Sequence, residues 1–388
     1  MNLLLYFKQE ARALCADSAA LLTVFGGVLL YAFLYPLPYL HQTPTDLPLI
    51  VVNLDNSQAS RRLEHLVDAS PNVRLARRAA STAEAEQLLV AEKMAGILVI
   101  PENFYGDLLR NRRPILTLCG DAGFFLVYGK AIEGMNGAAG ALSGEFALHK
   151  QALLKNSFFI SGNTGQQPID LELVPLFNSG MGYLTYVIPA VYMLILHQTL
   201  IIGIGLVSAT RRTQHHLRED SAANRHASNT LFARTSLFIV IYWLLAMYYF
   251  GGSFDFYHIP RLAGPAELHL LFAPFFLSSS FLGICLGMLL PRRELVTLVV
   301  LVSSMPLIFL SGFIWPTSAI PPILTALSKT VPVIPAISAY LALNHLGADF
   351  HDILEPWATL WVQTLLYGAL AWYALRRNLQ TQKPPQSR

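Results

Sequence analysis

Six stretches of this chain are so apolar and so free of charge that they dictate where the backbone can go. Ala19–Leu40, Leu184–Ser208, Leu268–Leu290 and Leu295–Trp315 are each about 20 residues long, the length that crosses a hydrocarbon core about 30 Å thick. Two shorter runs, Thr235–Gly251 and Trp357–Leu375, share the pattern. None of the 27 Lys and Arg or 24 Asp and Glu residues falls inside the six runs, as expected where a charge at the bilayer centre costs about 3 kcal/mol. With 54% apolar and 13% charged residues, the composition is that of an integral membrane protein with a soluble part attached. The fold class expected is a polytopic α-helical membrane protein with six transmembrane helices and an inserted α/β domain.

Lys and Arg orient the spans. The first 18 residues, Ala209–Arg234, Pro291–Glu294 and the tail after Leu375 together carry 13 of them, whereas the two short loops on the opposite side carry only Arg261 and Lys329. Both termini are therefore expected in the cytoplasm. His41–Tyr183 is too long for the rule to apply and follows the topology to the other side. Leu4, Phe7, Ala11 and Leu14 recur at helical spacing with Lys8 and Arg12 beside them, which predicts a helix along the inner membrane surface. The first apolar run follows an 18-residue lead-in and has no small-x-small cleavage site, so it reads as an uncleaved anchor. The domain boundaries expected are 1–40, 41–183 and 184–388.

The long outer segment alternates strand and helix patterns. Leu49–Asn53, Val73–Ala76, Ala95–Ile100 and Ile115–Cys119 read as strands, and Ser57–Ala69, Ser81–Lys93 and Asn103–Arg110 as helices, the second opening with a Ser81/Glu84 capping box. This order predicts an α/β sheet. A helix from Phe124 to Phe159 should return the chain to the membrane. Its Gly134, Gly137, Gly140 and Gly144 share one arc, the mark either of close approach by another helix or of a loose one. The loop Ser161–Gln167 follows.

Catalytic motifs are absent. Gly129-Lys130 is followed by Ala131, so no phosphate-cradling G-x-x-x-x-G-K-[ST] is present, and H-E-x-x-H, C-x-x-C and G-x-S-x-G do not occur. No basic stripe interleaved with aromatics marks a nucleic-acid binder. Gly203-x-Gly205 lies mid-membrane and reads as a helix-packing feature. Cys15, Cys119 and Cys285 fall in three different environments without metal-ligand spacing. His215 and His216, with Asp220 a turn away, fit a solvated loop better than a metal pair, because adjacent side chains diverge on a helix. His197 and Gln198 lie deep in the second apolar run, where polar groups face the bundle interior; packing hydrogen bonds and a translocation path both remain open for them.

Pro306–Ile337, PLIFLSGFIWPTSAIPPILTALSKTVPVIPAI, breaks an apolar helix at Gly312 and turns through Pro316, Pro321 and Pro322. Backbone released from helical bonding at membrane depth must be shielded by protein or line a cavity. The segment resembles the last third of ABC-2 type exporter permeases, where a span ending in SGF-aromatic-P enters a Pro-rich external hairpin, here 312–345. VVNLDNSQASRRL, STAEAEQLLVAEKMAGILVIPENFYGDL and ILTLCGDAG are similar to the extracytoplasmic domain of the drug-efflux members. Their pattern V-x-D-x-D-x-S-x-x-S has Asn53 in place of its first acidic residue here.

The resemblance implies the transmembrane subunit of an ATP-driven exporter in a bacterial inner membrane. ATP would be bound on a separate ATP-binding subunit, with no cofactor in this chain. A second permease copy or a sister permease completes the pore, and a periplasmic adaptor and outer-membrane channel are possible partners. It further implies that the cytoplasmic loop 209–234, with Arg218, Glu219 and Asp220, couples to the ATPase, and that Gly312, Phe313, Pro316, Pro321 and Pro322 form an outer gate. The cargo expected is hydrophobic or amphipathic, since the spans offer Phe, Tyr and Leu and no charge. Two rival readings are a receptor or assembly factor acting through the external domain, and a membrane transferase using His258, Asp255, His345 and Asp349.

Overall fold

The computed structural model describes residues 3–40, 45–92, 94–110, 112, 114–120, 125–155, 182–214, 227–315 and 317–381. The chain divides into two compact units, Met1–Leu40 with Pro175–Arg388, and His41–Val174. Helix α1 (Leu3–Ala16) ends where Asp17 turns extended, at φ −101° and ψ 96°. The Asp17 carboxylate then accepts the Ala20 N–H at 3.2 Å and starts α2 (Ser18–Leu21), satisfying one of the bare amides of a helix start. A π-helical segment, Leu22–Gly27, leads into α3 (Val28–Leu34). Of the expected stripe on α1 only Leu14 is buried; Leu4 is 64% exposed, and the face packed on the bundle is Tyr6, Glu10 and Leu14, one turn apart. A buried carboxylate displaced the apolar pattern because its partner lies inside the bundle.

In the second unit, β1 (Leu47–Asn53), α4 (Gln58–Asp68), β2 (Val73–Arg78), α5 (Thr82–Ala91), β3 (Gly96–Ile100), α6 (Phe104–Leu109), β4 (Thr117–Gly120) and α7 (Phe125–Lys155) follow in order. The sheet order is β2-β1-β3-β4, with β1 parallel to both neighbours and β4 antiparallel to β3. Leu49 and Val51 face a core shared with Leu63 and Val67 of α4 and Ala138 and Leu142 of α7. Ile50 and Val52 face the other way, onto Ala85 of α5 and Ile97. This alternation on a strand buried on both sides explains the unbroken LIVV run. On α7, Gly134 packs against the α4–β2 turn, where an added Cβ would lie 3.0 Å from Ser70 Oγ, whereas Gly137, Gly140 and Gly144 have open space beside them. Residues 156–167, with the end of that predicted helix and its loop, lie outside the described residues.

The first unit continues with α8 (Tyr183–Gln214), α9 (Ala227–Met247), a second π-helical segment Tyr248–Ser253, α10 (Phe254–Phe256), α11 (Pro265–Leu289), α12 (Glu294–Leu310), α13 (Pro322–Ser328), α14 (Val333–His345) and α15 (Leu354–Thr381). Helix α8 is the centre, with 94% of its apolar window buried. It crosses α11 at glycines: a Cβ on Gly287 would sit 2.3 Å from the Gly205 carbonyl oxygen, and one on Gly283 2.4 Å from Ile204 Cγ2. Gly283-x-x-x-Gly287 is thus a small-residue seam of the kind that lets membrane helices touch backbone to backbone. Pro274, inside α11, cannot bond the Leu270 carbonyl one turn back, and Trp357 Nε1 of α15 donates to it at 3.0 Å.

Among the described residues, Ser18–Tyr39, Tyr183–Thr213, Ala227–Phe256 and Pro265–Leu289 are long and apolar enough to cross a membrane. Helices α13 and α14, bent by 93°, make a fifth if they act as one span. The other two runs read as spans from sequence behave differently. Glu294–Leu310 has 17 residues, about 26 Å at 1.5 Å per residue, because the helix stops before Gly312 instead of reaching Trp315. In α15 the 28 residues are long enough, but Trp, Tyr, Thr and Gln dilute their apolar character.

Candidate functional site

Three consecutive residues at the end of α8 reach three different parts of the first unit. Thr210 Oγ1 donates to Asp17 Oδ2 at 3.0 Å, and Arg293, at the start of α12, closes the triangle with bonds to Thr210 Oγ1 (2.9 Å) and to both Asp17 oxygens (3.1 and 3.2 Å). Arg211 donates to the Gln9 carbonyl of α1 at 2.6 Å. Arg212 donates to the carbonyls of Met288 and Leu290 at 2.7 Å and of Pro291 at 3.1 Å. Those carbonyls end α11 and have no helical donor of their own, so a cation there meets both their lone pairs and the negative helix end.

Beneath this ring lies an ion pair withdrawn from solvent. Arg234 Nε and Nη2 donate to the two Glu10 oxygens at 2.9 and 3.1 Å, and Arg234 Nη1 donates to Ser208 Oγ at 2.9 Å. Arg234 is 2% exposed and Glu10 3%. The guanidinium fork matches the carboxylate, which favours a bidentate pair over a single contact. Ser208 in turn donates to the Ile204 carbonyl at 2.6 Å, so α1, α8 and α9 are joined by one hydrogen-bonded chain. A cavity of about 220 Å³ lies alongside, lined by Ala13, Asp17, Thr210, Arg211 and Arg293 among others.

Arg218, Glu219 and Asp220 lie outside the described residues, as do His215 and His216. The network nevertheless surrounds the place where the chain leaves α8 at Gln214 and re-enters α9 at Ala227. His197 is buried, its Nδ1 3.0 Å from Ser279 Oγ of α11 and its ring 6.0 Å from that of Phe275. Gln198 is half-buried, and its Nε2 has no hydrogen-bond partner among the described residues. At the elbow, Gly312 holds φ +89°, Phe313 is buried with its carbonyl accepting the Tyr186 hydroxyl, and Pro321 and Pro322 are exposed; Pro316 lies outside the described residues. Tyr186 and His197 stand three turns apart along α8, about 16 Å at 1.5 Å per residue. The elbow and the two polar residues of α8 are therefore separate places, not one cluster.

Of the four residues read as a transferase set, His345 ends α14 half-buried, its Nε2 without a hydrogen-bond partner among the described residues, and the other three sit in local turns. Asp255 accepts from Arg261, Asp349 caps the turn Phe350–Ile353, and His258 sits at φ +54° beside Asp255. Sequence reading missed Glu10, Asp17, Ser208, Thr210 and Arg234 as a group. One signal was available: Glu10 and Asp17 are the only acidic residues before Asp46, and their spacing of seven places them near one helical face in a segment otherwise selected for positive charge.

The sequence model of a family described as ABC-2 family transporter protein matches residues 19–373. The matched range takes in Thr210, Arg212, Arg234 and Arg293 and begins just after Asp17. No curated protein matches the chain.

Proposed function

The chain belongs to the ABC-2 family of transporter proteins, and from that premise we propose that it is the permease of an ATP-driven exporter for hydrophobic or amphipathic compounds. Membership makes it a multi-pass membrane protein and the non-catalytic membrane component of a transporter, of a family that normally pairs with an ATP-binding subunit. The further reading is ours. Six spans cross the inner membrane with both termini in the cytoplasm, residues 41–183 form a domain outside, and two permease chains enclose the path. ATP is bound and hydrolysed on the partner, which engages Arg218, Glu219 and Asp220.

The observation that carries this reading is the set of bonds around Ser208, Thr210, Arg211, Arg212 and Arg234. A push on the segment between α8 and α9 reaches α1, the α2 cap and the α11–α12 turn through short charge-assisted bonds, without passing through soft side-chain packing. The elbow at Gly312–Pro322 would release cargo at the far end, with His197 and Gln198 along the way. The test is co-expression with an ABC ATP-binding subunit from the same organism. The pair should co-purify and hydrolyse ATP, and the Arg218→Glu/Glu219→Arg/Asp220→Arg variant should lose export while still inserting in the membrane, since like-charge contacts at an interface cost several kcal/mol. Normal export by that variant would move the coupling site elsewhere, and stable ATP binding by the permease alone would remove the division of labour.

A further inference from the structure

Two segments of the bundle wind as π-helix: Leu22–Gly27 in the first span and Tyr248–Ser253 after α9. Each contains a glycine pair, Gly26-Gly27 and Gly251-Gly252. A π turn accommodates one residue more than the α turn it replaces, and such turns are rare and frequent at functional sites. Packing does not call for the second pair, since a Cβ on Gly251 would meet nothing within 4 Å and one on Gly252 only the Tyr248 ring at 3.9 Å. Backbone freedom is the remaining physical reason for them, because glycine is among the poorest residues at holding a helix in one form.

The two segments are tied together by buried hydroxyls. Tyr249, within the second segment, donates to the Val28 carbonyl, the first residue beyond the other segment, at 2.8 Å. Tyr192 of α8 stacks on Tyr249 with ring centroids 4.0 Å apart and donates to the Ala32 carbonyl at 3.0 Å. That carbonyl is free to accept because the residue four further on, Pro36, has no N–H. With the Tyr192 proton so used, Ser253 is the donor in the 2.7 Å contact between Ser253 Oγ and the Tyr192 hydroxyl.

We propose that the two π segments form a coupled register switch between the first span and the α9–α10 span, with Tyr192 and Tyr249 as the link. Converting one segment to α-helix removes the extra residue from its turn and rotates the helix beyond it by about 100°. The Tyr249–Val28 and Ser253–Tyr192 bonds then survive only if the other segment shifts with it. Such a device gives a permease two discrete arrangements of its spans instead of a continuum. It goes beyond the transport reading, and its test needs no transport.

The experiment is hydrogen exchange, read by mass spectrometry, on the full chain in phosphatidylethanolamine–phosphatidylglycerol nanodiscs. In the parent, Leu22–Gly27 and Tyr248–Ser253 should both exchange faster than the helices flanking them. Gly251→Ala/Gly252→Ala should slow exchange at Tyr248–Ser253 by about tenfold or more and slow Leu22–Gly27 by a similar factor, although no substitution lies there. Adding Tyr192→Phe/Tyr249→Phe should keep the local slowing and abolish the distant one. Slowing confined to Tyr248–Ser253, or a distant effect that persists without the two hydroxyls, overturns the coupling. Should the double glycine variant fail to fold, Gly251→Ala alone has the same two expected results. Failure of the chain to associate with an ATPase would end the permease reading and leave this one standing.

Discussion

Glu10 and Arg234 lie 224 positions apart in the chain, yet each is the reason the other can be buried. Removing two charges from water costs several kcal/mol per ion, and the forked geometry offsets it, with Ser208 as third acceptor and Arg211 3.9 Å from the same carboxylate. Glu10→Gln should therefore destabilise the purified chain by about 3 kcal/mol or more, because it leaves an uncompensated guanidinium in the bundle. Glu10→Leu/Arg234→Met should recover most of that loss in a thermal melt; a double variant as unstable as the single one would mean that the pair stabilises beyond its own desolvation. Asn53 makes a similar point in the second unit. Its Oδ1 accepts the N–H groups of Asp55 (3.2 Å) and Asn56 (2.9 Å), and its Nδ2 donates to Ser60 Oγ (3.0 Å) and Glu64 Oε1 (2.6 Å). The acidic residue that the resembling permeases carry there would set two carboxylates face to face. Asn53→Asp is expected to cost about 1–3 kcal/mol, and Glu64→Gln in the same chain to restore much of it, measured by the unfolding midpoint.

At the scale of the element, helix ends decide more than helix interiors. Helix α12 stops because Gly312 adopts φ +89°, a conformation in which a side chain is strained, and where a Cβ would also lie 2.7 Å from Thr317 Cγ2. The turn is then fastened to α8 by the Tyr186 hydroxyl on the Phe313 carbonyl. Gly312→Leu should cut cargo efflux from cells at matched protein level while ATP hydrolysis by the reconstituted pair continues, whereas Lys329→Gln, at an exposed residue, should leave both unchanged. Equal efflux from the parent and Gly312→Leu would make the elbow a structural turn with no part in passage. The Gly205–Gly287 crossing sits at the opposite extreme: it contains no functional polar group, but its backbone contact fixes how far α8 and α11 can separate.

For the whole molecule, the charge asymmetry makes a directional claim. Cys15 and Cys119 are exposed and Cys285 is buried, so a membrane-impermeant maleimide should label Cys119 on intact spheroplasts, Cys15 only in inverted vesicles, and Cys285 only after unfolding. Labelling of Cys119 solely from the inverted side would reverse the topology.

Local rules made part of this protein legible in one dimension. Four of the six charge-free runs coincide with helices long and apolar enough to cross a membrane, because hydrocarbon excludes charge at every position of a span. The Ser81/Glu84 cap and the LIVV run announced elements of the sheet, because capping and strand alternation act within a few residues; the Ser81 hydroxyl accepts the Glu84 N–H at 3.2 Å. The end of α12 shows where such rules stop, since hydrophobicity continued to Trp315 but the backbone did not. Only the tertiary structure decided which charges are withdrawn from water. Arg234 stands one residue before an apolar run and counted in sequence merely as one more positive charge on the inner side. It became the centre of a buried network because α1 folds back and brings Glu10 within 3 Å. The π segments were equally silent, since a Gly-Gly pair permits many backbones, and the bonds that hold them, from Tyr249 to the Val28 carbonyl and from Tyr192 to the Ala32 carbonyl, join residues far apart in the chain. Propensity and hydropathy are sums over neighbours in the chain, whereas desolvation and hydrogen-bond partnership depend on neighbours in space.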